Sequence, residues 1–164
     1  MIAASILGEL EHESGTTRKL LERAPEDQFD WKPHEKSMTL GRLASHCAET
    51  LKWFDVIVNQ DVFEMDPASY TPFAAASRSE LLEAFDANLA SAQDIMFNQS
   101  DEDLLANWKM TSGGEVTIEM PRIGVIRGFV LNHLVHHRGQ LSVYLRLRDI
   151  PVPSIYGPSA DEKG

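Results

Sequence analysis

Hydrophobic residues recur every three or four positions in four stretches of the chain, which is the spacing that places them on one face of an α-helix. The first stretch runs from about Ile2 to Arg23, and Pro25 follows its end. The second begins at Thr39, a residue type favoured at helix N-caps, and runs to about Gln60. The pattern therefore predicts two long helices in the first part of the chain.

Two further helical stretches lie in the second half of the chain. The third starts with Ser77-Arg78-Ser79-Glu80, which fits a capping box, and continues to about Met96. The fourth begins after Pro121, because proline is favoured in the first turn of a helix, and runs to about Arg148. Four helices of this length predict a bundle with space for a cofactor between facing helices.

The segments between the helices predict little additional structure. Residues 61–76 contain Pro67 and Pro72 and are expected to form a loop across one bundle end. Residues 106–120 alternate between apolar and polar positions around Gly113-Gly114, which is typical of a β-hairpin. The predicted fold is all-α, a four-helix bundle with a short β-hairpin or irregular insertion between helices three and four. One domain is expected to span residues 1–164.

Composition narrows the class of protein. The chain has 164 residues with 43% hydrophobic and 24% charged residues, as expected for one globular domain. A formal net charge of −10 repels phosphate backbones and anionic membrane surfaces, so nucleic acid and membranes are not expected partners. No apolar run approaches the roughly 20 residues of a membrane span, and no signal peptide is apparent, which predicts a cytoplasmic protein.

Histidines are the strongest candidates for chemistry, because the single cysteine, Cys47, excludes a cysteine-based metal cluster. His133 and His137 lie in the middle of the apolar stripe of the fourth helix, one turn apart. Two imidazoles at this spacing can reach one metal ion, although two hydrogen-bonded core histidines are the alternative. His46 lies at similar depth on the second helix and completes a three-nitrogen set with open coordination positions.

The other three histidines are weaker candidates, since they fall on polar faces or in a connecting segment, and they are predicted to be exposed or at a buried edge. These are His12, His34 and His136.

Several polar side chains lie near the predicted site. Glu13 is on the core-facing side of the first helix, where it either acts as a base beside a metal-bound water or pairs with an arginine. Gln140 is placed to orient a histidine, and Tyr144 to supply a hydroxyl to the same cavity. Substrate access is expected near Trp53 or Tyr156.

The segment His133-Leu134-Val135-His136-His137-Arg138-Gly139-Gln140-Leu141 resembles the C-terminal helix signature of the DinB-like (DinB/YfiT) superfamily. The resemblance extends to Leu40-Gly41-Arg42-Leu43-Ala44-Ser45-His46, to Pro151-Val152-Pro153 and to Tyr156-Gly157. It implies a four-helix bundle that binds one divalent metal ion, nickel or zinc, with His46, His133 and His137. It also implies a homodimer.

The resemblance implies an enzyme but does not identify the reaction. Family members include thiol-dependent enzymes that use mycothiol or bacillithiol, and others that have been described as metal-dependent hydrolases. The expectation is therefore a hydrolase or thiol S-transferase acting on a small molecule, with a low-molecular-weight thiol as a candidate cosubstrate. Two alternatives remain open: a non-catalytic, metal-stabilised binding or stress-response module, and a metal-free helical interaction protein with ordinary core histidines.

Overall fold

The four predicted helical stretches are all present, and the computed structural model describes residues 1–162. In chain order the α-helices are α1 (Ile2–Leu21), α2 (Leu40–Glu49), α3 (Trp53–Asn59), α4 (Arg78–Phe97), α5 (Asp101–Leu105), α6 (Arg122–Val125) and α7 (Asn132–Leu147). The strands are β1 (Val62–Glu64), β2 (Asn107–Ser112) and β3 (Glu115–Pro121). Among residues 1–162, no helix has both the length and the apolar character needed to cross a bilayer.

The long helices α1 and α4 form as predicted. Ser77 caps α4, since its hydroxyl accepts a hydrogen bond from the Glu80 backbone N–H at 3.1 Å. The predicted capping box also expects the Glu80 carboxylate to accept from the Ser77 backbone N–H. Instead, the carboxylate accepts a hydrogen bond from the Ala76 N–H at 2.7 Å. The helix start is therefore correctly placed, with one of the two expected bonds shifted by a residue.

The second predicted helix is interrupted. Thr39 caps α2 as expected, accepting from the Arg42 N–H at 3.2 Å, but the helix tightens into a 3₁₀ turn over Thr50–Lys52 before α3 begins. The Thr50 hydroxyl donates to the His46 carbonyl at 2.6 Å, and side-chain bonds of this kind bend helices. The 3₁₀ turn follows directly after the turn that carries His46.

The predicted hairpin is present, but it belongs to a small sheet. Strands β2 and β3 pair antiparallel around Gly113 and Gly114, whose φ values of +60° and +81° suit a two-residue hairpin turn. Strand β1 adds to β2 in parallel, with Val62 opposite Lys109. The fold is mostly helical with a small three-stranded sheet. Strand β1 lies in residues 61–76, which were expected to form a loop, because a three-residue strand is too short to leave a periodic signal.

The fourth predicted helix contains a change of helical type. It begins at Arg122, because Pro121 still pairs with Asn107 in the sheet, and it passes through a π-helical segment at Ile126–Leu131 before α7. Such segments are rare and often lie at functional sites.

The long helices pack around a shared core. Helix α1 packs against α4 and α7, and α2 packs against the same two helices. The apolar stripes of these helices face one another, and their side chains are removed from solvent. Fully buried core residues, from these helices and from α3 and the π-helical segment, include Ile6, Leu10, Leu43, Phe54, Phe85, Ile126, Val130 and Leu141.

Candidate metal centre

Three histidines from two helices meet inside the helical core. His46 comes from α2, and His133 and His137 come from successive turns of α7. One ring nitrogen from each lies within 4.8 Å of the others. The ring centroid of His46 is 5.1 Å from that of His133 and 4.6 Å from that of His137. The three side chains selected from the sequence are thus brought together.

Hydrogen bonds to Nδ1 fix the orientation of two of these rings. Nδ1 of His46 lies 2.7 Å from Oε1 of Glu49, and Nδ1 of His137 lies 2.8 Å from Oε1 of Gln140. Each partner is an oxygen that accepts, so the hydrogen of a neutral imidazole is assigned to Nδ1. Nε2 is left with a free lone pair, which is the arrangement that metal-binding histidines usually show.

The third ring is oriented by the backbone of the π-helical segment. Nδ1 of His133 lies 3.3 Å from the carbonyl oxygen of Phe129, one turn earlier. This bond is longer than the other two. It again uses Nδ1 and leaves Nε2 facing the cluster, where it lies 2.7 Å from Nε2 of His137.

The donor set fits a divalent metal ion. Two Nε2 lone pairs at 2.7 Å repel each other unless a cation or a proton lies between them. Burial lowers the pKa of His137 to about 4, with the neighbouring imidazoles adding to the effect and the Gln140 hydrogen bond opposing it. Burial likewise lowers the pKa of His133. The rings of His133 and His137 are therefore neutral at neutral pH, as metal binding requires, and imidazole suits zinc, nickel, copper and iron.

Glu49 is a buried carboxylate beside the histidines that the sequence analysis did not single out. Glu49 is only 8% exposed to solvent. Burial by itself would raise the pKa of Glu49, but hydrogen bonds from His46, the Phe73 N–H, Arg42 and Tyr70 outweigh it and hold the pKa at about 2. The available signal was its position three residues after His46, which places both side chains on one helix face.

A cavity opens beside the three histidines. It has a volume of about 400 Å³, and both His46 and His133 line it. Trp53 forms part of the wall and packs edge-on against Phe63 and Phe129, with ring centroids 5.2 and 4.8 Å away. A smaller adjoining space of about 210 Å³ reaches Glu49. Trp53 is thus at the cavity as expected, whereas Tyr156 lines neither space.

Glu13 lies in a separate buried cluster. Its Oε2 atom is 2.6 Å from Nη2 of Arg138 and accepts from the Tyr156 hydroxyl at 2.8 Å. Arg138 also donates to the Glu13 carbonyl oxygen at 3.0 Å. The structure thus contains the arginine pair that was the alternative to a catalytic base. A role as a base stays a prediction.

The remaining predicted residues divide between the site and the rest of the fold. Gln140 orients a histidine as expected. Tyr144 instead packs against Trp31, and its hydroxyl donates to the Met38 carbonyl at 3.4 Å. Burial raises the pKa of Cys47 to about 12, so this thiol is not a nucleophile at neutral pH. The three histidines outside the cluster are all exposed: His12, His34 and His136.

Comparison with solved structures identifies the same fold in two proteins. A DinB-like protein from Bacillus subtilis, YjoA, superposes with a TM-score of 0.69 at 19% identity, covering 90% of this chain and 95% of YjoA. A DinB-like protein from Bacillus cereus ATCC 10987 superposes with a TM-score of 0.65 at 23% identity, covering 89% of this chain and 92% of the other. At these identities the similarity concerns the fold.

Sequence comparison agrees with the structural one. The uncharacterized protein YrdA of Bacillus subtilis (strain 168) is 28% identical over 153 residues, which cover 93% of this chain and 86% of YrdA. The model of the DinB family matches residues 2–163. The chain therefore belongs to the DinB family.

Proposed function

We propose that this protein is a metal-dependent enzyme that binds one divalent ion, nickel or zinc, with His46, His133 and His137. In this proposal it activates a water or a low-molecular-weight thiol for attack on a small molecule, as a hydrolase or a thiol S-transferase. The observation that carries the proposal is a set of three imidazoles, with Nδ1 of each bound to an oxygen, two of which line an open cavity.

The protein residues have separable tasks in this proposal. Glu49, Gln140 and the Phe129 carbonyl hold Nδ1 of the three rings, so that each Nε2 can bind the ion without reorganisation. A bound divalent ion lowers the pKa of a coordinated water or thiol and so supplies a nucleophile near neutral pH.

The cavity favours a catalytic site over a structural one. Structural zinc sites are closed by four protein ligands, whereas catalytic sites use three and keep a position open. Here three histidines meet, and two of them face a cavity of a size that small ligands occupy. The aromatic wall of Trp53, Phe63 and Phe129 suits an apolar group on the substrate.

We further propose that the long helices form a four-helix bundle around this site. Helices α1, α4, α2 and α7 pack in a closed cycle, since each contacts the next and α7 returns to α1. The bundle would place the ligands on facing helices, as in other helical metal proteins.

Turnover by metal-loaded protein tests the proposed function. Protein stripped with a chelator and reloaded with zinc or nickel is assayed against two panels, one of esters and amides and one of electrophiles with added thiols. We expect turnover from reloaded protein and from a His136→Ala control, and none from stripped protein or His133→Ala. Metal that raises the melting temperature without supporting turnover of any panel member would favour the non-catalytic, metal-stabilised module.

A further inference from the structure

We propose that Glu49 is a positioning residue that holds His46 for the metal ion and couples it to the loop that walls the cavity. The name pocket loop is used here for residues 65–73, which follow β1. The inference rests on the proposed function, because it concerns how the same metal site is assembled and controlled.

Glu49 collects hydrogen bonds from two parts of the chain. From its own helix, its Oε1 atom accepts from Nδ1 of His46 at 2.7 Å and from Nη2 of Arg42 at 2.5 Å. From the pocket loop, Oε1 accepts from the Tyr70 hydroxyl at 2.9 Å, and Oε2 accepts from the Phe73 N–H at 2.9 Å. One carboxylate therefore joins a predicted metal ligand to the pocket loop.

The hydrogen bond between Glu49 and His46 depends on where the Glu49 carboxylate lies. Glu49 is only 8% exposed, so losing a donor costs more free energy here than it would on a solvated surface. Three donors share Oε1, and a displacement of Tyr70 changes the position at which the carboxylate meets His46. Arg42 reinforces the link, because its Nη1 atom also donates to the Phe73 carbonyl oxygen at 3.4 Å.

Tyr70 connects the Glu49 contact to the cavity. Tyr70 lines the cavity together with His46, so a ligand that displaces Tyr70 acts on the Glu49 contact. Coupling between binding sites is reciprocal. Metal binding at His46 should therefore stabilise the pocket loop in the position where Tyr70 and Phe73 reach Glu49, and a cavity ligand should change the affinity for the metal.

Zinc affinity of a Glu49→Gln variant tests the proposal. An amide presents one oxygen in place of two, so either His46 or the Phe73 N–H loses its acceptor. We expect zinc affinity, measured by competition with a chromophoric chelator, to fall about 10- to 100-fold. The matched control is Glu64→Gln, which changes a carboxylate at the same cavity that accepts hydrogen bonds from the Thr111 hydroxyl and the Gly114 N–H. Its affinity should remain within about twofold of the parent.

Two readouts separate positioning from a general loss of structure. In zinc-free parent protein, long-range ¹⁵N–¹H spectra should show the His46 hydrogen on Nδ1, and in Glu49→Gln this preference should be lost. Hydrogen exchange of the Phe73 amide should accelerate in Glu49→Gln, and zinc should slow it in the parent. If Glu49→Gln does not fold, Tyr70→Phe removes one donor to Oε1, and we expect a zinc affinity about two- to fivefold weaker.

The outcomes distinguish this inference from the proposed enzymatic function. Glu49→Gln with parental zinc affinity and an unchanged His46 tautomer would overturn the positioning role. Tyr70→Phe with parental affinity and parental exchange at Phe73 would overturn the coupling to the pocket loop. Absence of turnover in the parent would overturn the enzyme proposal alone, since the tautomer and zinc measurements need no substrate.

Discussion

At the scale of single residues, the hydrogen bonds to Nδ1 decide what the three histidines can do. A buried neutral imidazole has one donor and one acceptor, and here the donor is already used by Glu49, Gln140 or the Phe129 carbonyl. The acceptor nitrogens then face one another inside the fold. This arrangement is unfavourable in an ordinary core and favourable around a cation, which is why it supports a metal site.

The depressed pKa of His137 predicts how stability depends on pH in the metal-free protein. Burial lowers this pKa from 6.5 to about 4, so between these values the unfolded chain binds a proton that the folded chain does not. The free energy of unfolding therefore falls as the pH drops from about 6.5 to about 4, by roughly 3 kcal/mol from this group.

Urea unfolding at pH 7 and pH 4.5 measures this contribution. Replacing His137 with Asn should reduce the acid-induced loss of stability. Replacing the exposed neighbour His136 with Asn should change that loss much less, because His136 is the last of the causes that lower the pKa of His137. Equal pH dependence in the parent and in His137→Asn would show that His137 is not held neutral by burial.

The histidines could be selected from the sequence, whereas their hydrogen-bond partners could not. His133 and His137 lie on an apolar stripe, and periodicity alone shows that they point into the core. The sequence around Glu49 is equally typical of a helix face that is exposed to solvent, so it does not indicate that Glu49 is buried. Its burial depends on Tyr70 and Phe73, which reach it only when the pocket loop folds over α2. Tertiary contacts of this kind leave no local signal.

At the scale of elements, both helices that carry the candidate ligands are irregular near them. The 3₁₀ turn at Thr50–Lys52 follows His46, and the π-helical segment Ile126–Leu131 precedes His133. Neither was predicted, because over a few residues the hydrophobic spacing of α, 3₁₀ and π turns differs too little to separate them. Strand β1 was missed for a related reason, since its pairing with β2 is set by the tertiary fold.

A glycine near the start of α2 predicts a test of how this element is placed. A Cβ atom added at Gly41 would lie 2.7 Å from Cβ of Phe29, which is closer than such atoms approach. We expect Gly41→Ala to reduce the free energy of unfolding by about 1 to 3 kcal/mol, because α2 must move away from Phe29.

The matched control is an alanine at an unobstructed helix position. Gly8 in α1 has no atom within 4 Å of an added Cβ, so Gly8→Ala should raise the free energy of unfolding by about 0.5 to 1 kcal/mol. Thermal or urea unfolding of both variants measures the difference. A Gly41→Ala variant as stable as the parent would mean that α2 is not in close contact with Phe29.

At the scale of the whole molecule, the fold joins distant parts of the sequence through a few buried polar contacts. The pair of Glu13 and Arg138 connects α1 to α7, and Tyr156 adds the C-terminal segment to the same cluster. A buried pair of this kind costs stability if one partner is lost, which supports a structural importance for Glu13. The long helices and the hairpin could be predicted because each has its own periodic pattern, whereas these cross-links depend on the completed fold.

Metal content shows whether the three histidines together bind one divalent ion, on which the proposed function depends. Tag-free parent protein, His133→Ala, His137→Ala and the exposed-residue control His136→Ala are incubated with zinc or nickel, desalted and measured by elemental mass spectrometry. We expect roughly one ion per chain in the parent and in His136→Ala, and loss of the ion in both cluster variants. No bound ion in any sample, or equal metal content in all four, would contradict this expectation.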